Sequence, residues 1–336
     1  MIREFKQINL ADRNSFHVEQ EAALLVEFDQ AEELPAIFAR HRGMPWMVLS
    51  GGNNILFTQD YAGMLLTPVS EHIEVLDEGA EEVRLRVDAG LEWDDLVAWA
   101  VARDLWGIEN LSLIPGKVGA APVQNIGAYG VEAGDAIERV CYYDVEAEAQ
   151  RVLERAQCGF GYRESIFKQA LKGRVVITAV EFRLSRRPMP RLGYGDVERE
   201  VAARGGATLG NIREAICAIR RSKLPDTAVL GNAGSFFKNP VVERAVADRL
   251  LAEWPEMPHY PTAEAGRVKL AAGWLIDRAG WKGMRRGAVG VHERQALVLV
   301  NHGGATGGEV LAFAHEVAAA VKARFGVEIT PEVNVI

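Results

Sequence analysis

Hydrophobic and polar positions along the chain change pattern twice, and each part predicts a different set of elements. "AEELPAIFARHRG" has apolar residues at helical intervals and predicts a helix that ends at Gly43. "WMVLS" then reads as a short apolar strand running into "GGNN", with "ILF" and "MLLT" as further short strands. From residue 71 the texture becomes more regular. "VRLRVDA" alternates strictly, with Val83, Leu85 and Val87 on one face and Arg84, Arg86 and Asp88 on the other, which predicts a half-buried strand. "EWDDLVAWAVARD" predicts a helix whose first turn carries the acidic residues its dipole favours. "RVVITAVEFRL" predicts a long β-branched strand. A third style follows "RGGA". "NIREAICAIRRSK" places Ile212, Ala215, Ile216 and Ile219 on one helical face, and "VVERAVADRLLAE" and "GEVLAFAHEVAAAVKARFG" predict two more amphipathic helices. "ALVLVN" reads as a buried strand and "VEITPEVNVI" as an extended tail. These shifts predict domains at 1–70, 71–207 and 208–325, with residues 326–336 returning to the middle one. No internal repeat, low-complexity tract or Pro-rich linker interrupts them.

Composition narrows the class. The chain has 336 residues, 49% of them apolar and 25% charged, as in soluble globular proteins with more than one core. It offers no apolar window of about 18 residues for a membrane span. "MIREFKQINLADRN" has no apolar signal-peptide centre, so a cytoplasmic location is expected. Cys141, Cys158 and Cys217 are odd in number and form no C-x-x-C pair, so neither a disulfide frame nor a metal site is expected, and Cys158 reads as buried rather than reactive. The net charge of −8 argues against a nucleic-acid binder. It leaves room for acidic small ligands held by local cations and backbone N–H groups. No long exposed apolar helix face is evident, and a monomer is expected.

Several stretches carry candidate chemistry. In "LSGGNNILF" adjacent glycines can expose successive N–H groups, and Asn53 and Asn54 tolerate left-handed geometry; the stretch fits a plain hairpin or an anion-binding nest. No dinucleotide fingerprint and no Walker loop is present. "NLSLIPGKVGAAPVQNIGAYG", Asn110 to Gly130, is long, rich in glycine and almost uncharged, as suits backbone lying against a flat or phosphorylated ligand. Gln124 and Asn125 could face a polar heterocycle edge. "CGFGYRESIFK" groups Tyr162, Arg163, Glu164 and Ser165. Its arginine fits either a substrate carboxylate or a structural pair with Glu164. "LGYGD" sets Tyr194 between glycines, where a loop could close on a ligand. "LGNAGSFFKNPVV" places Ser235 on a Gly-rich turn before Phe236 and Phe237, which read as core. His292, His302 and His315 do not suggest a ligand cluster.

Taken together, "GGNNILF", "NLSLIPGKVGAAPVQNIGAYGVE", "FGYRESIFK", "KLPD", "GNAGSFFKNPVV", "KLAAGWLIDRAGWKG" and "PEV", in this order and spacing, closely resemble the UDP-N-acetylenolpyruvoylglucosamine reductase family, flavoenzymes of bacterial peptidoglycan synthesis. The Tyr194 loop and the 158–167 block resemble its tyrosine-loop subclass, type I. The resemblance implies an α+β chain: a two-domain FAD-binding scaffold like that of vanillyl-alcohol oxidase, plus a third α+β domain for substrate. It implies bound FAD, NADPH as hydride donor and a nucleotide-sugar substrate. It assigns Gly51, Gly52, Asn53, Asn54, Pro115, Gly116, Val118, Gly119, Ala121, Gln124, Asn125, Ile126 and Gly127 to the flavin. It makes Ser235 the proton donor, Arg163 the carboxylate clamp and Glu332 the partner of Arg163. Tyr162, Tyr194, Lys223, Asn239, Tyr260, Lys282 and Gln295 fall at positions resembling substrate contacts. Two departures stand out: His17 replaces the glycine of the family's "NTFG", and Asn334 follows "PEV" where arginine is common. Another FAD-dependent oxidase or dehydrogenase on the same scaffold is the rival reading, and a nucleotide-sugar sensor without catalysis is a third.

Overall fold

The strand predicted by strict alternation forms at Glu82–Asp88, and Val83, Leu85 and Val87 are buried on one face while the residues between them are not. It belongs to a five-stranded antiparallel sheet in the order Ala149–Glu154, Ile137–Asp144, Val175–Ser185, Glu82–Asp88, Ile73–Glu78. The computed structural model containing it describes residues 1–262 and 264–336. Its packing divides the chain into two units. One comprises residues 1–8, 22–51 and 62–221, the other residues 9–21, 52–61 and 222–336.

In the first unit, helix Trp93–Val101 lays Trp93, Leu96, Val97 and Ala100 on the apolar face of the five-stranded sheet. Each fully buried side chain of this size contributes about 1.5–3 kcal/mol over leaving it in water. The start of the helix also fixes the loop that follows it. Trp93 Nε1 donates to the Leu111 carbonyl (3.0 Å), and the Trp93 N–H donates to that of Gly116 (2.8 Å). A second sheet runs Arg3–Asn9, Glu21–Phe28, Tyr61–Pro68, Trp46–Val48, the last pair parallel. Helix Leu34–Arg40 covers it through Leu34 and Ile37.

The second unit holds a four-stranded sheet, Gly231–Asn232, Leu299–Asn301, Val289–Val291, Arg285–Arg286, and a three-stranded one, Val241–Glu243, Arg267–Leu270, His259–Pro261. Three helices pack with them: Arg244–Glu253, Ala272–Arg278 and Gly307–Phe325. The last is capped as its sequence demands. Thr306 and Glu309 close a capping box, and Gly326 ends the helix in left-handed geometry. Residues 9–21 join this unit by packing Phe16 edge-on against Phe236, with ring centroids 6.1 Å apart.

Three expectations change. The expected edge at 207 separates helix Leu209–Lys223 from what precedes it, yet through Arg221 that helix lies in the first unit. Its stripe of Leu209, Ile212, Ala215, Ile216 and Ile219 needs a cover and finds Trp106, Val197 and Val201. The edge at 70 is not a division either, since residues 9–21 and 52–61 pack with the C-terminal part. The tail does not return to residues 71–207. Asn334–Val335 pairs in parallel with Ile55–Leu56, and the Ile336 N–H donates to the Leu56 carbonyl (2.9 Å). This pairing also rules out a hairpin at "GGNN". Trp46–Val48 pairs with Tyr61–Pro68 and Ile55–Leu56 with the tail, so the strands flanking the turn belong to different sheets.

Candidate active site

In the first unit the Gly-rich loop spends most of its own donors. The N–H groups of Val118 and Gly119 reach the carbonyls of Leu91 and Ala89, and those of Ala121, Val123, Asn125 and Ile126 bond within the loop. A Cβ on Gly119 would meet that of Ala89 at 2.6 Å, so this glycine serves packing against the sheet. Asn125 does not offer its side chain to a heterocycle. Its amide donates to Glu132 Oε2 (2.7 Å) and the Gly161 carbonyl (3.1 Å) and accepts from the Gly134 N–H (2.8 Å). It ties three loops together and is buried doing so. Gly127 receives Arg163: the guanidinium donates to its carbonyl at 2.6 Å.

Arg163 sits at the tip of a tight turn. Gly161 and Glu164 exchange backbone hydrogen bonds (3.0 and 3.1 Å), leaving Tyr162 and Arg163 as the two central residues. Arg163 has φ +56°, a position that β-turns usually give to glycine or asparagine. Holding a bulky residue there costs on the order of 1–2 kcal/mol. That strain aims the guanidinium at Gly127, with the Tyr162 ring beneath it at 5.3 Å. Ser165 stabilises the turn by donating to the Val123 carbonyl (2.5 Å) and accepting from the Phe167 N–H. Cys158 is buried beside it, and burial pushes its thiol up to about 11. Tyr194 is half exposed and meets Tyr129 edge-on at 6.1 Å.

In the second unit the opening strand Gly231–Asn232 leads into the serine turn. Asn232 accepts from the Gly234 N–H (3.0 Å) and donates to the Leu230 carbonyl (2.7 Å), fixing the turn from its own side chain. Phe236 and Phe237 are buried, as the core reading expects, and Ser235 between turn and core is exposed. Glu332 is brought to the same place: its N–H donates to the Phe236 carbonyl (2.7 Å), and Lys238 likewise bonds Thr330 (2.9 Å). Gln295 lies next to them in the fold, because Phe236 donates to Leu297, whose N–H reaches Gln295 Oε1 (3.4 Å). Asn239 accepts from the Ala272 N–H at 2.9 Å and so caps helix Ala272–Arg278. Three expected substrate contacts stand on the surface. Lys282 pairs with Asp277 (3.2 Å), Tyr260 is exposed with the Lys269 ammonium 5.6 Å from its ring, and Lys223 is exposed at its helix end.

The "GGNN" turn marks the passage of the chain from the first unit, at Gly51, to the second, at Gly52. Gly52 is left-handed (φ +64°), whereas Asn53 and Asn54 do not use the left-handed geometry they tolerate. The Gly52 backbone lies directly on Arg13–Asn14, and its carbonyl accepts from the Ser15 N–H (3.1 Å). Asn54 is held by the tail: both the N–H (3.1 Å) and the amide (3.0 Å) of Asn334 donate to its carbonyl. The Oγ atoms of Ser15 and of Ser50 are each buried with no hydrogen-bond partner among the described residues. An orphaned buried hydroxyl calls for a polar ligand, and hydroxyls next to a glycine turn suit phosphate oxygens. Within the second unit, Ser15 beside Gly52 therefore fits a phosphate oxygen of FAD.

Residues 225–336 match the model of the UDP-N-acetylenolpyruvoylglucosamine reductase C-terminal domain, and residues 22–150 match that of an FAD binding domain. The UDP-N-acetylenolpyruvoylglucosamine reductase of Pseudomonas aeruginosa strain PAO1 is 48% identical over 330 residues, covering 97% of both chains. That of Chromobacterium violaceum is 50% identical over 331 residues, covering 97% of this chain and 96% of its own. The chain belongs to the UDP-N-acetylenolpyruvoylglucosamine reductase family. Its fold is similar to that of the Thermus caldophilus UDP-N-acetylenolpyruvylglucosamine reductase (MurB), with a TM-score of 0.69 at 23% identity over 100% of this chain and 98% of that one. The chain is thus an FAD-binding oxidoreductase of mixed α+β fold, as the motifs implied. No described helix is long and apolar enough to cross a membrane.

For a reductase of this family, several residues that matter to the site were not read from the sequence. Ser15 and Ser50 carry no motif beyond their nearness to glycines. Asp94 accepts both guanidinium N–H groups of Arg213 (2.6 and 2.8 Å) and the Leu113 N–H (2.6 Å). Arg220 donates to the Leu113 carbonyl (3.2 Å) and to the Tyr129 hydroxyl. Burial pulls Arg220 below the ordinary arginine range, with Tyr129, Cys217 and Asp94 opposing. Only long-range pairing reveals this network beside the Gly-rich loop. His17, at φ +54°, takes the left-handed place a glycine would fill and spans the carbonyls of Ala11 (3.2 Å) and Thr227 (2.7 Å).

Proposed function

We propose that the chain reduces the enolpyruvyl ether of UDP-N-acetylglucosamine to UDP-N-acetylmuramate with NADPH, as a cytoplasmic monomer acting on a free nucleotide sugar. When bound, FAD would supply the hydride chemistry, passing reducing equivalents from NADPH to the terminal methylene carbon of the enolpyruvyl group. The chain's residues then have two tasks. Negative charge grows on the adjacent carbon and its carboxylate, and the Arg163 guanidinium clamps and stabilises it. A proton must reach the α-carbon, and the Ser235 hydroxyl gives it. Serine is a weak acid, so its position on a fixed turn has to supply the advantage, typically about 10²–10⁴-fold in rate. Glu332 acts with Arg163 at the carboxylate end. Lys223 and Lys282 offset the diphosphate, Tyr194 closes over the nucleotide, and Tyr162, Asn239, Tyr260 and Gln295 line the sugar's path. Gly51 to Asn54 and Pro115 to Gly127 hold the flavin.

The observation that supports this reading is that Glu332, almost a hundred positions away in the chain, donates its N–H to the carbonyl of Phe236, the residue next to the exposed Ser235. The low exposure of every neighbour of Ser235 in "SFF" supports a hydroxyl presented from a rigid base. The test is anaerobic. The holoenzyme should bleach with NADPH and regain its colour when the enolpyruvyl nucleotide sugar is added. Ser235→Ala should bleach normally and recover at least about a hundredfold more slowly. Recovery at the wild-type rate removes Ser235 from the reaction, and rapid recovery with oxygen alone points to an oxidase.

A further inference from the structure

We propose that Asn110 is the positioning residue of the Tyr194 loop, one carboxamide that pins the root of the loop to the platform on which Tyr194 rests. The proposal rests on the reading that Tyr194 closes on the nucleotide sugar. Residues 186–196 run from the end of strand Val175–Ser185 to helix Val197–Ala202 without regular structure. Tyr194 is half exposed, and the space around Gly193 and Gly195 is open. Such a segment is free to move unless something holds its base. Asn110 does so. It is fully buried in the short turn Glu109–Leu111, and its amide nitrogen donates to the Arg191 carbonyl (2.8 Å) and to the Tyr129 carbonyl (3.0 Å). Its own Oδ1 is buried with no partner among the described residues, so the side chain is kept for its two donors.

The platform is built to stay still. Tyr129 has φ +49°, its carbonyl is held by Asn110 and its hydroxyl by Arg220, and its ring receives the Tyr194 ring edge-on. Arg220 in turn holds the Leu113 carbonyl, while Asp94 holds the Leu113 N–H. Leu192 still packs on the cluster around Trp106 and Ile212, and past it the backbone contacts become local: the Tyr194 N–H reaches back to the Leu192 carbonyl (2.9 Å). The pivot therefore lies just past Leu192, with Asn110 holding the Arg191–Leu192 peptide on its near side and the glycines allowing the far side to swing.

Trypsin reports on the near side of this pivot directly, because the carbonyl that Asn110 holds is the one at the Arg191–Leu192 cleavage site. In the FAD-loaded enzyme, Asn110→Ala should be cut at Arg191 about tenfold faster than wild type. Cleavage at Arg186, in the same segment but away from Asn110, should not change. With NADPH and the enolpyruvyl nucleotide sugar, the KM for the sugar should rise about tenfold with little change in kcat. Asn110→Ala/Tyr194→Ala should then be no worse than Tyr194→Ala. Unchanged cleavage at Arg191, or KM effects that add in the double variant, overturns the proposal. An unchanged KM in Tyr194→Ala defeats the closing reading instead, and the Arg191 cleavage rate tells the two failures apart. Asn110→Ser, which keeps a small donor, serves if the alanine variant does not fold, with the same expected direction.

Discussion

Gly52→Ala tests whether the "GGNN" turn works through close backbone contact. A Cβ at Gly52 would lie 2.1 Å from the Arg13 carbonyl oxygen and 2.9 Å from Asn14 Cα. Contacts below 3.0 Å essentially do not occur, so residues 13–14 would have to retreat by about an ångström. They cannot do so freely. The Asn14 side chain is buried and donates to the carbonyls of Leu10 (2.6 Å) and Val18 (3.0 Å), and the Ser15 N–H bonds Gly52 itself (3.1 Å). Left-handed strain contributes about 1–2 kcal/mol, the lost hydrogen bond about 1 and the forced repacking about 1–3, together about 3–6 kcal/mol. Gly43→Ala is the control. Gly43 is also left-handed, at φ +81°, but nothing lies within 4 Å of its Cβ position, so only the strain of about 1–2 kcal/mol applies. Urea unfolding of both variants measures the difference, and the flavin content of the purified proteins shows whether Ser15 has shifted. Equal losses of stability in the two variants, with full flavin in both, would refute the packing argument.

Asp94 is held below the ordinary aspartate range: burial works against its charge, but Arg213, the Leu113 N–H and Arg220 outweigh it. Its contribution is therefore complete above the ordinary aspartate pKa of about 3.9 and is lost as pH falls through the lower folded value. Asp94→Asn should cost about 1–3 kcal/mol at pH 7 and much less near pH 2 in urea unfolding, and an equal cost at both pH values counts against the pair. Thr306→Ala removes the cap of helix Gly307–Phe325 and should cost about 1 kcal/mol by the same assay, with no loss contradicting the capping box. Cys158, buried and with its thiol raised to about 11, should resist a thiol reagent at pH 8 until denaturant is added; labelling of Cys158 in the folded enzyme, read by mass spectrometry, would contradict its burial.

What could be read from the chain depended on how local the deciding physics is. The alternation of Val83, Leu85 and Val87 names a buried face, and neighbours in sequence suffice to specify it. The stripe on Leu209–Lys223 names a face too, but not its cover, and Trp106 lies a hundred residues upstream. That is why a change of texture near 207 suggested a domain edge where packing is continuous. "GGNN" suggested a hairpin because its flanking runs are short and apolar. Their true partners are Tyr61–Pro68 and the last residues of the chain, which no local pattern announces. Asn125 reads as a ligand contact because it stands in an uncharged loop, yet its amide is used by Glu132, Gly134 and Gly161. Arg163 was found through its motif. Its left-handed backbone could not be, because nothing in "GYRE" distinguishes a strained turn from a relaxed one.

The tail joins blocks distant in sequence within the second unit. Within the second unit, Glu332 bonds Phe236, Thr330 accepts from Lys238, and Pro331 forms an isolated bridge with Phe237, so residues 330–332 run alongside the segment that follows Ser235. Two residues later the chain crosses to the glycine turn, where Asn334 donates twice to Asn54 and Ile336 accepts from Thr58. A segment fixed at both ends has no freedom to slip by one residue, since that would turn Glu332 to the opposite face and break each of these bonds. The departure at 334 fits the same account. An asparagine here spends its amide on the Asn54 carbonyl, and so fixes the tail to the glycine turn where a charged side chain would not be needed.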